Sequence, residues 1–473
     1  MAFNFGGSSA AAFGGSPAPA FGFGAAPAPA FGFGAAPAPA FGGSAAPAFG
    51  RPAFGGFGGA ATGTVAAVNQ IDGFCETPGR PDSISKLAWR KAGSDFIAAS
   101  NWDGHVRVYQ RQLPTDSFKH VASASTHNAA PVLCVDWHND GASFFTCGAD
   151  KTVARCTFDG GAITAIPIAH HDAPVKTLTW WSDANLLVTG GFDDKMKYWD
   201  LRQQQPVHTM PCPGKVQCIA SRGPTMVMTC LNSTVGDVTT KSAVYAFDKN
   251  SPTGNNIRSM VDDASRSKLV FGQTFDPTHL SPVSLSHQIR CIGMMRGGVG
   301  WVLGGSEGRC VVENRADVPV APQTPPLESL FKDSVPKRSG PVQHPMSTNF
   351  NFKCHRVDEK QGSQTITNAF PCNAASFNER HNTLATCGSD GTYVFWDKDN
   401  RQKLKGFPEQ KPGASRATLG NSIIDIDFSP DSDFVAFAVA YDWAKGPDGR
   451  KSDNEGLYVR RVADADIAHK KSK

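Results

Sequence analysis

The chain has 473 residues, of which 40% are hydrophobic and 19% charged, and a net charge of +4. That length admits two or three average domains or one large repeat-built one, and so mild a charge gives no case for nucleic-acid binding beyond a local patch. No apolar run approaches the ~18 residues a membrane span requires, and no basic segment leads into an apolar one at the N-terminus, so neither membrane insertion nor a secretory signal is expected.

Residues 1–63 carry a single charged side chain, Arg51, among Ala, Gly, Pro, Ser and Phe. The stretch PAPAFGFGAAPAPAFGFGAAPAPAFGG (17–43) repeats a ten-residue unit that offers phenylalanine but no Leu, Ile or Val to pack beside it. Gly and Pro oppose regular structure, and Phe alone makes no close-packed core, so residues 1–70 are expected to be a disordered Phe-Gly-rich tail. From Ile71 to about residue 465 the composition is that of a globular domain, and 466–473 reads as a short basic tail.

Four stretches of that domain share one pattern: NWDGHVRVYQ (101–110), GADKTVARCT (148–157), GFDDKMKYWD (191–200) and GSDGTYVFWD (388–397). In each, an aspartate (Asp103, Asp150, Asp193, Asp390) lies six residues before an aromatic or apolar residue (Tyr109, Cys156, Trp199, Trp396), with apolar and polar side chains alternating between them. That alternation is the period of a half-buried strand. Two further apolar runs precede each aspartate, so the unit is a four-stranded sheet. The spacing of 47 residues from Asp103 to Asp150 and 43 from Asp150 to Asp193 matches a WD-repeat propeller blade. GGSEGRCVVE (304–313) is a fifth copy with Glu307 in the aspartate position. A degenerate blade is expected around 216–248 and a last one over 423–461, giving an all-β, seven-bladed WD-repeat β-propeller. Two long loop insertions are expected, at 248–268 and at the Pro-rich 313–348.

His127 precedes Asp150 by 23 residues and His171 precedes Asp193 by 22. Together with Trp199 these residues, and Asp103 and Asp390 in their own blades, are read as structural members of buried hydrogen-bonded chains that pin the strands. AHHD (169–172) has no third ligand at zinc spacing. The twelve cysteines form no CxxC pair, and most sit in strand-like apolar runs, so they are expected to be reduced core thiols. No metal, no cofactor and no catalytic residue is expected. There is no P-loop and no G-x-G-x-x-G opening a helix, and the chain is read as a non-enzyme.

The segments that a blade does not require are HDAPVKTLTWW (171–181), GGSEGR (304–309), NFNFKCHR (349–356), LATCGSDGTYVFWDKDNRQKLK (384–405) and AYDWAKG (440–446). Together, over residues 80–465, they closely resemble the propeller mRNA export factor family of nuclear pores, which binds the GLEBS segment of an FG nucleoporin. The resemblance implies a nuclear-pore-associated mRNA export adaptor that has no catalytic activity. Such a protein docks an acidic GLEBS hairpin on one face, contacts messenger ribonucleoprotein, and resides in the nucleus and at the pore, shuttling to the cytoplasm. Arg309, with Glu307 beside it, is the implied GLEBS contact, because a planar guanidinium takes a carboxylate through two parallel bonds. Phe352, Lys353 and Arg356, entering the blade of Trp396, and Lys398, Arg401, Lys403 and Lys405 following Trp396, form the implied RNA or partner patch. An exposed aromatic among cations would stack a base while the cations meet phosphates, weakly and without sequence preference.

In this context the tail reads as an FG segment, longer than the family usually carries. Its Phe-Gly dipeptides, among them Phe21, Phe23, Phe31, Phe33 and Phe41, are expected to enter apolar pockets of transport receptors, many weak contacts acting together. The alternative is a mitotic checkpoint or spindle-assembly propeller, which has the same fold and docking mode but no use for an FG tail. A structural coat scaffold of the pore would gain its last blade from a neighbour, and seven blades here leave no place for it.

Overall fold

In the segments FIAASN (96–101), SFFTCG (143–148), LLVTGG (186–191), GWVLGG (300–305), LATCG (384–388) and FVAFAVA (434–440), every residue is buried. Alternation disappears there because both faces of the strand are covered, and Ala, Gly, Ser and Thr leave room for a sheet on either side. The computed structural model describes residues 73–79, 81–231, 242–249, 257–261, 267–271, 279–280, 285, 287–315, 349–408, 421–443 and 455–469. The chain divides into two units, Met1–Ala66 and Ala67–Lys473, and every described residue lies in the second.

The second unit holds seven four-stranded antiparallel sheets. Blade one runs Ile84–Trp89, Phe96–Asn101, His105–Gln112, Ser117–Ser125, and blade two Val132–Trp137, Ser143–Gly148, Thr152–Phe158, Ile163–His170. Blade three is Val175–Trp181, Leu186–Gly191, Lys195–Trp199, His208–Pro211, and blade four Val216–Arg222, Thr225–Leu231, Ser242–Asp248, His279–Leu280. Blade five is Ile289–Met294, Gly300–Gly305, Arg309–Asn314, Phe350–Lys353, and blade six Cys372–Phe377, Leu384–Gly388, Tyr393–Asp397, Gln402–Phe407. Blade seven takes Ser422–Phe428, Phe434–Ala440 and Gly456–Arg461 from the C-terminal part and Phe74–Cys75 from the N-terminal part. The first strand of each blade contacts the first strand of the next, and that of blade seven returns to blade one, so the ring is closed.

A first strand has a neighbour in its own sheet on one side only, which leaves backbone amides on the other edge to be satisfied. Side chains of the adjacent blade satisfy them. Leu87 N donates to Asp425 Oδ2 (2.6 Å), Trp180 N to Asp136 Oδ2 (2.8 Å), Ile219 N to Thr177 Oγ1 (3.1 Å) and Phe428 N to Ser376 Oγ (3.2 Å). All seven first strands also carry a bulge near their start, between Ile84 and Lys86, for example, and between Ile289 and Cys291. The bulged residues, among them Lys176, Gln217, Arg290 and Asn373, line a central channel of about 630 Å³.

Several boundaries differ from the expected ones. The expected loop 248–268 begins on a strand residue, Asp248, and runs into a hairpin, Ile257–Val261 with Ser267–Phe271, whose second strand extends past it. Of the expected insertion 313–348, Glu313 and Asn314 belong to a strand, and 316–348 lie outside the described residues. A second hairpin, Arg356–Gln361 with Gln364–Ala369, was not anticipated. The expected basic tail from 466 begins inside a short helix, Asp464–Ile467, whose Ile467 is fully buried in the blade six–seven core. No described helix is long and apolar enough to cross a membrane.

The closing strand was also unanticipated. Phe74 and Cys75 pair with Tyr458 and Leu457, and Val459 N donates to Gly73 O at 2.8 Å. A chain beginning at Glu76 loses these backbone bonds and the burial of Cys75, worth about 1–3 kcal/mol together. Its urea midpoint is expected to fall below that of a chain beginning at Ile71, and equal midpoints would show that the strand does not close the ring.

Candidate partner-binding edge of blades five and six

The aspartate that marks each repeat turns the chain from second to third strand, and in three blades it faces a histidine. In blade three the Trp199 indole donates to Thr189 Oγ1 (2.9 Å), Thr189 meets His171 Nε2 (2.8 Å), and His171 Nδ1 meets Asp193 (3.0 Å). Blade six repeats the chain with Trp396, Thr386, His355 and Asp390. Blade two has His127 between Thr146 and Asp150, with the Cys156 thiol in place of the indole. In blade one Asp103 binds Arg107 (2.6 Å) and His105 instead of an upstream histidine. In blades two and three, a donor chain ending on a carboxylate fits a neutral imidazole with its proton on Nδ1. Burial, against the opposite pull of Asp150 and Asp193, holds His127 and His171 below the ordinary histidine value.

His355 is the member that sequence reasoning missed. It lies 35 residues before Asp390 instead of 22 or 23, because the Arg356–Ala369 hairpin stands between them. FKCHR is therefore in part a structural motif.

Around Arg309 the chain makes a tight turn. Gly308 has φ +64°, and a β-carbon there would meet the carbonyls of Cys354 (2.9 Å) and Phe370 (3.2 Å). Arg356 clamps the turn, donating to Gly308 O (3.0 Å) and Glu307 O (2.8 Å). Glu307 faces His287 at 3.1 Å, the blade-five version of the histidine–acid pair. Gly304–Gly308 spells G-x-S-x-G, yet it joins two strands and so is no strand-to-helix nucleophile elbow.

Arg309 stands directly across the ladder from Lys353. Cross-strand partners share a face, and like charges in that position repel. Arg309 is half-buried, Lys353 is exposed, and neither has a carboxylate partner among the described residues.

The expected basic patch is brought together at the boundary of blades five and six, but differently from the expectation. Phe352 and Lys353 belong to the outer strand of blade five, not to a segment entering blade six. Phe352 is half-buried, packed against Trp396 with ring centroids 4.8 Å apart, because it pairs with core residue Cys310. It is therefore not the exposed stacking platform that was anticipated. Lys398 binds Asp399 (2.6 Å), Lys405 binds Asp466 (2.9 Å), and the Arg401 guanidinium lies 4.6 Å from the centroid of Phe350. Lys403 lies on the outer strand of blade six opposite Trp396. The candidate contacts Phe21, Phe23, Phe31, Phe33 and Phe41 lie outside the described residues.

The family model for the WD domain, G-beta repeat, matches residues 118–154, 163–200 and 362–397. The chain is 28% identical over 403 residues to mRNA export factor GLE2 of Chaetomium thermophilum, spanning 84% of this chain and 92% of that one. It is 28% identical over 395 residues to the Poly(A)+ RNA export protein of Schizosaccharomyces pombe, spanning 82% and 91%. This chain is a seven-bladed propeller that carries WD repeats and is similar to proteins named mRNA export factors. The solved structure of U3-55K shares the fold alone, with a TM-score of 0.53 at 13% identity over 80% of this propeller chain and 95% of that one.

His171→Ala leaves Thr189 and Asp193 without their partner and is expected to cost about 2–4 kcal/mol. The unfolded chain binds a proton on this histidine below about pH 6.5, before the folded one does, so the wild type loses stability as pH falls from 7 to 5.5. Urea midpoints at both pH values should show a smaller acid loss in the variant. An equal loss would mean that His171 is not held neutral.

Proposed function

We propose that this protein is an mRNA export adaptor of the nuclear pore, a binding scaffold without catalytic activity. Its partners are the acidic GLEBS segment of an FG nucleoporin and messenger ribonucleoprotein. The observation that carries this reading is the similarity to mRNA export factors over nearly the whole length of both chains. The site assignment rests on blade five. Arg309 and Lys353 face each other with no carboxylate partner among the described residues, and an acidic segment laid along that edge would relieve their repulsion. Glu307, held by His287, and Arg356, holding the turn, position Arg309. RNA contact would come from Lys353, weakly, because Lys398 and Lys405 are paired with Asp399 and Asp466 and Arg401 lies over Phe350. The FG tail, through Phe21, Phe23, Phe31, Phe33 and Phe41, would hold transport receptors nearby, and the protein would work at the nuclear envelope while shuttling to the cytoplasm.

Titration of the full chain with a synthetic GLEBS peptide tests the site. Arg309→Glu is expected to weaken binding at least about tenfold, equivalent to 1.4 kcal/mol. Deletion of residues 1–63 is expected to leave this affinity unchanged while weakening capture of transport receptors. Equal affinity of wild type and Arg309→Glu would remove Arg309 from the site, and absence of peptide binding by the wild type would remove the GLEBS reading.

A further inference from the structure

Three thiols meet at the seam between blades five and six. Cys310 lies on the third strand of blade five, Cys354 follows its outer strand, and Cys372 opens blade six. Cys310 Sγ is 3.4 Å from Cys354 Sγ and 3.5 Å from Cys372 Sγ, and all three residues are buried. All three sulfurs lie within 4.8 Å of one another, and among the described residues no other three cysteines gather so closely. A further thiol, Cys291, adjoins Cys372 but stands outside the cluster. A β-carbon at Gly304 would stand 2.4 Å from Cys291 Sγ and 2.8 Å from Cys372 Sγ, so glycine is what leaves room for sulfur at this point.

We propose that Cys310, Cys354 and Cys372 bind a zinc ion. Tetrahedral Zn–S bonds of ≈ 2.3 Å place ligand sulfurs about 3.8 Å apart, close to the spacing found here. Each ligating thiol gives up its proton to solvent as its Zn–S bond forms, so binding releases one proton per sulfur. The sulfurs come from two sheets and the connection between them, so the ion ties blade five to blade six. It also lies directly beneath the partner-binding turn, since Cys310 follows Arg309 and Cys354 N donates to Gly308 O at 3.2 Å. CxxC spacing is absent because the ring, not the local sequence, brings the ligands together.

The test uses the full chain, produced in zinc-supplemented medium and dialysed, with metal measured by mass spectrometry. About one zinc per chain is expected in the wild type, a loss of most of it in Cys354→Ser and in Cys372→Ser, and full retention in Cys156→Ser, whose thiol lies in blade two. Because a serine variant can fail to fold, the wild type is also stripped and reloaded with Co2+, which should give the intense sulfur-to-cobalt absorption of a thiolate site. Wild type without zinc and without that absorption overturns the proposal. So does full zinc retention in both cluster variants, or a mass two daltons lower with two thiols lost, which would mean a disulfide instead.

Discussion

The open edge of the innermost strand is the constraint on which this molecule turns. Seven sheets standing around a channel each present a row of amides without partners in their own sheet, and each buries its faces only against its two neighbours. The aspartates of the first strands answer the first difficulty. Asp136 and Asp425 reach across to the amides of Trp180 and Leu87, and Asp425 also holds Lys86 at 2.8 Å. The bond to Leu87 spans 338 residues of sequence, joining the last blade to the first. Tryptophans add to it, Trp89 donating to Asp427 O and Trp137 to Ala88 O. Closure makes every one of these contacts conditional on the rest, and rigidity at the outer turns follows from it.

The outer turns are held by networks of their own. The His–Asp–Thr–Trp chains of blades three and six fix the turns in place from below, so the side chains above them are presented on a stiff frame. At blade five the same position is rebuilt. Glu307 replaces the aspartate, His287 is 58% exposed in its side chain, and Arg356 from the following hairpin supplies the clamp. That blade departs from the repeat at this turn, and it carries the cationic pair Arg309 and Lys353.

The blades were legible in the sequence because each repeats a local signal, an aspartate six residues before an apolar or aromatic strand residue. Features that depend on distant segments were not. Nothing near Phe74 announces a strand whose partner is Tyr458, and the His355–Asp390 pair was hidden by an inserted hairpin. The charge run after Trp396 reads as an open basic patch, yet Asp399 and Asp466 neutralise two of its lysines, the second from a helix that the sequence reading placed at the edge of a tail. Cysteines scattered at 310, 354 and 372 look unrelated until the ring is closed.

The proposed export role is tested most directly by depleting the protein from the cells that make it and imaging polyadenylated RNA by hybridisation, with rescue by the wild type or by Arg309→Glu. The account predicts nuclear accumulation of poly(A)+ RNA on depletion, reversed by the wild-type chain and not by the variant. Normal cytoplasmic poly(A)+ RNA after complete depletion, with chromosome segregation failing instead, would contradict it.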